Sequence, residues 1–571
     1  MAGQHGLIPG GAPACGVAAG GARLRCGVVC AAAVLSLALA DGALAQRAGG
    51  RGQSLYADPA SQSSPAPIQS GSAPRPNGPV LVVHKDSTPP LVEAAQSREP
   101  QVALELIARG ADVNAAAPDG TTALLWAIHY DEVPLIDRLI AAHANVRGAN
   151  DYGATPMSEA ATFGDRAVIE RLVKAGANPD SANADGETAL MVLARTDNVE
   201  AARFLIRHGA DVNARERLTG QTALMWAAAR SEPEMVGLLL HYGANPNVRS
   251  AYNTERRQIT SEPRIQARPT GGFTPLIYAA RAGCIACAQA LVAGGAITNL
   301  TDPDGETPLL IAAENFHFDL AAYLLKQGAD PNRWDWWGRT PLYAAVDLDT
   351  LPYGGRPDHV SLDATSSLKM IELLLAAGAN PNAQLKLFPP YRSLGADRGG
   401  DSMLTTGTTP LLRAAKAGDV AAIRVLLAHG AIVGLPNRMG ETPLMAAAGL
   451  GTTPVDTRGK YKTQQEAVDV IELLVAGGAN INAVDERGET ALFGAASFGF
   501  NDVVRSLVAH HADINVKDNR GMTAIDAAMG RTALFRRGTP EVHPETANLL
   551  RQLMIASNIN IPPTNPVHRA L

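Results

Sequence analysis

Residues Asp304–Asn332 read Asp304-Gly305-Glu306-Thr307-Pro308-Leu309, then Ala312-Ala313, then Leu324-Leu325-Lys326-Gln327-Gly328-Ala329-Asp330-Pro331-Asn332. Most of the chain is variation on this phrase. The glycine near its start recurs at Gly120, Gly153, Gly186, Gly220, Gly272, Gly305, Gly338, Gly407, Gly440, Gly488 and Gly521. The steps 153−120, 186−153, 305−272, 338−305, 440−407 and 521−488 are all 33 residues. A fixed period in this range marks a stacked-repeat architecture. One unit cannot bury its apolar face alone, so neighbours complete the core.

Each position in the phrase has a physical task. Thr307-Pro308 suits a helix start, because a hydroxyl can accept from free N–H groups and proline fits the first turn. Leu309 and Ala312-Ala313 suit a short helix with close neighbours. Leu320, Tyr323, Leu324 and Leu325 form one apolar stripe on a second helix. Gly328 then ends that helix, since glycine adopts the left-handed conformation at least cost.

The repeated Gly-x-Thr-Pro-Leu and Gly-Ala-Asp-x-Asn segments, in this order, resemble the ankyrin-repeat family over about residues 86–554. The resemblance implies an all-α solenoid of about twelve helix–turn–helix repeats, joined by projecting β-hairpin fingers. It also implies a protein-binding role. The histidine common after Thr-Pro-Leu in that family is replaced here by Leu125, Met191, Met225, Ile277, Leu310, Tyr343 and Met445. An apolar contact between repeats is expected in its place. His143 and His511 stand where the helix-ending glycine is expected, and histidine tolerates positive φ better than most side chains. His208, His429 and His510 fall at helix C-termini, where imidazole can complement the dipole.

Residues 1–45 read as a secretory signal. Arg23 and Arg25 precede an apolar run from Cys26 to Ala40, and Ala43-Leu44-Ala45 is a small-x-small cleavage site. The run is short for a membrane span. Residues 46–79, rich in Pro, Ser and Gly, read as a disordered linker. Residues 80–557 form the repeat domain, with insertions at 248–270, 351–367, 383–405, 451–465 and 530–542, and 558–571 is a flexible tail. The insertions at 248–270 and 383–405 extend the finger side, three repeats apart. The other three lie between the two helices of a repeat. Insertions often mark a binding face, and neutral drift of tolerated loops accounts for them equally well.

Without residues 1–45 the chain carries 47 basic and 54 acidic residues, a net of −7: 49 less Arg23 and Arg25, and 55 less Asp41. That balance argues against general nucleic-acid binding. No catalytic or metal-binding motif is evident, and no cofactor is expected. The abundant Asp and Asn fit turn and capping work. Cys284-Ile285-Ala286-Cys287 holds the only cysteines after the signal. No histidine follows Cys287, which excludes haem attachment, and one pair does not complete a zinc site. A local disulfide is expected, with a redox role as the alternative.

Trp334-Asp335-Trp336-Trp337 places three of the five tryptophans in four residues. By analogy with the family they sit at a finger tip between the two finger-side insertions. Tryptophan and tyrosine are favoured interface anchors; packing beneath the neighbouring loops is the other reading. The same analogy puts His129, Tyr130, Tyr152, Phe163, Phe273, Arg281, Arg339 and Phe498 on the concave face. Trp126 and Trp226 are expected in the core. The sequence thus points to a periplasmic or secreted, non-catalytic scaffold that binds a protein partner. It binds no nucleic acid and inserts no stable membrane segment after signal cleavage. The alternative is an accessory or inhibitory subunit of an exported, possibly redox, enzyme.

Overall fold

The computed structural model describes residues 88–259, 266–350, 363–387, 403–451, 462–531 and 542–562. Residues 1–45 and 46–79 and most of the tail lie outside these residues, as do parts of all five insertions. The described helices fall into twelve pairs. The first six pairs are α1 (Pro90–Gln96) with α2 (Pro100–Ala108), α3 (Ala123–His129) with α4 (Val133–Ala141), α5 (Pro156–Phe163) with α6 (Arg166–Lys174), α7 (Ala189–Arg195) with α8 (Val199–Arg207), α9 (Ala223–Arg230) with α10 (Pro233–His241), and α11 (Pro275–Ala282) with α12 (Ile285–Ala293). The rest are α13 (Pro308–Glu314) with α14 (Phe318–Lys326), α15 (Pro341–Asp349) with α16 (Ser367–Ala376), α17 (Pro410–Ala417) with α18 (Val420–Ala428), α19 (Pro443–Ala447) with α20 (Gln464–Ala476), α21 (Ala491–Phe498) with α22 (Asn501–Ala509), and α23 (Ala524–Ala528) with α24 (Pro544–Ala556).

Local sequence sets the helix ends. Thr307 Oγ1 accepts from Leu310 N at 3.2 Å, and threonines at the same place cap the other first helices, Thr490 and the opening repeat excepted. Gly328 closes its helix at φ 82°, and His143 and His511 take the same left-handed turn at 62° and 67°. Odd-numbered helices pack on odd-numbered ones and even on even, from one end of the array to the other. Leu309, Ala312, Leu320 and Leu324 are fully buried between these rows. The residues that replace the family's histidine, Leu125 through Met445, are all buried, so an apolar contact does stand there.

Two ladders of hydrogen bonds tie repeat to repeat. In the first, Asn247 donates from Nδ2 to Gly295 O (2.9 Å) and accepts at Oδ1 from Ile297 N (2.8 Å). It thereby clamps the left-handed turn of the next repeat. Asn114, Asn213, Asn299, Asn332, Asn382 and Asn482 make the same two bonds. Arg147 and Asp180 supply one bond each. In the second ladder one backbone bond joins successive fingers: Trp336 N to Asp304 O (2.7 Å), Lys386 N to Trp337 O (2.8 Å), Asn519 N to Arg487 O (2.8 Å). The fingers are mostly tight turns. Regular strand occurs within the insertion at 248–270, where β1 (Tyr252–Ile259) runs antiparallel to β2 (Gln266–Gly271).

The clamp position of the ninth repeat is Gly434, which has no side chain to bond with. A Cβ there would meet open space. Gly434→Asn is therefore expected to stabilise the array by about 1 kcal/mol, the net worth of a hydrogen bond or two. Gly434→Ala should give only the smaller gain from a stiffer unfolded chain. Urea denaturation followed by circular dichroism distinguishes the two.

Candidate partner-binding surface

The finger Trp334–Trp337 is built on Asp335. Its buried carboxylate accepts from Trp337 N (3.0 Å) and Arg339 N (2.7 Å), and this fixes the turn. Arg339 Nε then reaches Asp335 Oδ2 at 2.6 Å, and Arg339 also pairs with Glu306 (3.0 Å) and Glu314. Burial works against this guanidinium's charge, but Glu314, Asp335 and Glu306 outweigh it and hold its pKa above the usual arginine value. Oxygens of the three carboxylates lie within 4.8 Å of one another, a spacing suited to a cation. The positive charge among them is that of Arg339.

The three indoles have different surroundings. Trp334 is 49 % exposed, with Lys386 Nζ 2.9 Å from the centre of its ring. Trp336 is half-buried beneath Arg268, whose guanidinium carbon stands 3.8 Å from its ring centre. Trp337 is only 1 % exposed. Lys386 N and Leu387 N both bond to Trp337 O, and buried Leu385 precedes them. Both finger-side insertions thus reach this finger, one through Arg268 and the other through Leu385–Leu387. Trp337, expected as an anchor, is packed away instead. Arg339 is likewise taken up by carboxylates and offers little surface.

The remaining expected residues fall in separate places. On α3 and α5, Trp126 stacks on Tyr130 (5.7 Å between centroids), and His129 meets Phe163 edge-on at 5.4 Å. Arg98 lies over Tyr130 at 5.0 Å, and Glu159 pairs with His129 at 2.7 Å. Phe163 is 52 % exposed. Further along, Arg195 covers Trp226 at 4.9 Å and Gln221 bonds to Tyr278 Oη at 2.7 Å. Arg281 lies 5.4 Å from the Phe273 ring. Tyr152, 72 % exposed, occupies a finger, and half-buried Phe498 packs on Phe500 at 4.7 Å.

Sequence reasoning missed Arg98, Glu159, Arg195, Tyr278, Arg268 and Lys386. It also placed Trp126 and Trp226 in the core, whereas both are half-buried, one side on the core and the other in these ring clusters. A signal was available: Trp126, Glu159, Trp226 and Tyr278 all lie six residues after their repeat's glycine.

The first-helix row continues into repeats eight and nine with a different character. Arg413 is 1 % exposed and bonds Asp347 at 2.5 Å, and Lys416 is buried too. Tyr343 beside them is fully enclosed; burial, then Asp347, pushes its hydroxyl far above the usual range. Lys462 Nζ donates to Lys416 O (2.9 Å) and Ala446 O (2.7 Å), near the C-terminal ends of α17 and α19. Among the described residues no helix is long and apolar enough to cross a membrane.

Twelve stacked helix pairs with laddered fingers define a tandem-repeat solenoid. The family profile described as Ankyrin repeats (3 copies) matches residues 91–183, 157–250, 276–385, 364–455 and 461–552. The chain belongs to the ankyrin-repeat family. No curated protein sequence matches it. Among solved structures it is similar to the human ASB11 ankyrin repeat domain, at 22 % identity over 39 % of this chain and 90 % of that one, with a TM-score of 0.32.

In the turn before the tryptophan finger, Asp302 is buried and accepts from Glu306 N at 2.8 Å. Burial, then Glu306 and Asp304, push its carboxyl up to about 7. An acid whose pKa rises on folding favours the folded state at low pH, and that advantage is lost as pH climbs toward the folded value. Asn150, Asn183 and Asn437 occupy the equivalent position in other fingers. Asp302→Asn keeps the acceptor and removes the charge. The variant should therefore melt higher than the parent at pH 8, and the difference should shrink toward zero at pH 4.

Proposed function

We propose that this protein is an exported, non-catalytic scaffold, periplasmic or secreted, that docks a protein partner on its first-helix face and fingers. The observation that carries the reading is the exposure of large rings on these surfaces. Tyr152, Phe163 and Trp334 keep about half or more of their area in water. Aromatic rings supply much of the energy of protein interfaces. Because a stacked array holds its surface in place, little ordering cost opposes docking. The signal-like residues 1–45 support export.

The anchor assigned to the tryptophan finger is Trp334, framed by Lys386, with Trp336 beneath Arg268; the exposure of Trp334, 49 % against 1 % for Trp337, supports this choice. The experiment is affinity capture from an envelope fraction, comparing variants of the processed chain. Trp334→Ala and Phe163→Ala together should reduce capture of the bound protein at least about tenfold, since interface aromatics are worth 2 kcal/mol or more, with the melting temperature unchanged. Trp337→Ala should instead lower stability by about 3–5 kcal/mol, as for other buried large rings. Equal capture by the parent and the double variant would end this assignment of the surface. Export has its own check: the N-terminal residue of the protein recovered outside the cytoplasm should be Gln46, following cleavage after Ala45.

A further inference from the structure

We propose that Cys284 and Cys287 are a redox couple that exchanges with the thiols of a bound protein, Cys284 being the sulfur attacked. The two are bonded to each other, with Cα atoms 5.2 Å apart. Both belong to the start of α12, so the bond joins no two elements of the fold. A loop this short removes little freedom from the unfolded chain. Stability alone gives a weak reason for it, and the chemistry of the sulfurs gives a stronger one.

Cys284 is the N-cap of α12: its Sγ accepts from Cys287 N at 3.1 Å. In the third and ninth repeats the same place is held by Asp165 and Asp419, whose carboxylates accept from the first-turn N–H groups of α6 and α18. The position is thus one where this array already holds negative charge at a helix N-terminus. A thiolate formed at Cys284 inherits that environment, which lowers a cysteine's pKa. His317, from the next repeat, packs against the neighbouring Gly283, with Nε2 3.3 Å from Arg281 O. Both residues are buried, Cys284 at 9 % exposed lying nearer the surface than Cys287 at 0 %. The proposal therefore assigns attack to Cys284 and resolution to Cys287.

The exchange balances with a partner dithiol as reductant. A partner thiolate attacks Cys284 Sγ, a mixed disulfide forms, and Cys287 leaves as a thiolate that takes up a proton. The partner's second thiolate then attacks its own sulfur in the mixed disulfide and releases Cys284. The partner loses two electrons and two protons and becomes a disulfide, and the Cys284–Cys287 pair becomes a dithiol. The reverse sequence reduces a partner disulfide. The proposal adds chemistry to the docking role without depending on which surface docks, because small thiols test the couple with no partner present.

The test uses the full chain, dithiothreitol and glutathione, with acid quench, alkylation and peptide-resolved mass spectrometry. The expected result is complete reduction of the Cys284–Cys287 peptide by dithiothreitol while far-UV circular dichroism stays native. With oxidised glutathione as the disulfide and one reduced glutathione released, Cys287→Ser should form its glutathione adduct at Cys284 at least about tenfold faster than Cys284→Ser forms one at Cys287, as thiolate character predicts. In the reduced parent, the alkylation rate of Cys284 should titrate below the ordinary thiol value of about 8.5. A disulfide that yields only when the helices melt overturns the proposal, as does equal reactivity of the two variants. If a serine variant fails to fold, the alkylation kinetics of the reduced parent decide alone.

Discussion

The clamp between a finger asparagine and the left-handed turn of the next repeat is the constraint on which the array depends. A helix of seven to nine residues is too short to persist alone in water. Its partner in the same repeat buries only one side of it. What fixes the next pair is therefore a contact between neighbours, and the asparagine supplies a directional one. Nδ2 takes the turn's carbonyl and Oδ1 takes an amide two residues on. Each clamp satisfies two backbone groups that the end of a helix would otherwise leave to water. Because every bond is between adjacent units, the array tolerates insertions of very different length, provided they leave the clamp and finger bonds in place. The insertions at 248–270 and 383–405 do so: Asn247 and Asn382 clamp the following repeat across them as Asn213 does without one.

Much of this was legible in the sequence for a physical reason. Threonine caps, proline at the first turn and glycine at the left-handed turn act within a few residues, so their order along the chain fixes where helices begin and end. The period of 33 fixes how many there are. Even the exceptions could be read, as at His143 and His511, where the backbone keeps positive φ despite a side chain. The role of the asparagines was read only in part. Their spacing suggested work within the turn, but the carbonyls they clamp lie 29 to 48 residues away. Only stacking brings those groups together.

The tryptophan finger shows the opposite limit. Three indoles in four residues look alike in sequence, yet their burial diverges because the two finger-side insertions cover them unequally. Trp337 is buried, and the backbone of Lys386 and Leu387 bonds its carbonyl. Trp336 lies under Arg268, which is itself tethered to Asp304 at 2.9 Å. Trp334 keeps an open side. None of this could be inferred from the phrase itself, since the covering residues come from segments without counterparts in other repeats. The missed arginines have a related cause. Arg98 and Arg195 are ordinary charges near helix ends until the neighbouring repeat sets an aromatic ring beside them.

Charge is handled differently along the first-helix row, and this bears on where a partner fits. In the repeats built around α3 to α11, cations stack on half-buried or exposed rings and keep contact with water. From α13 to α17 the same row carries Arg339, Arg413 and Lys416, drawn inside, with Arg339 held by Glu306, Glu314 and Asp335 and Arg413 by Asp347. A buried ion pair contributes little to affinity for a third body, because breaking it leaves charges without compensation. A stacked arginine on an exposed ring can keep its ring contact while a partner excludes the water around it. The proposed docking would cost least in desolvation on the early repeats and at Trp334. In the later stretch Arg339 and Arg413 are instead engaged by carboxylates of the array itself.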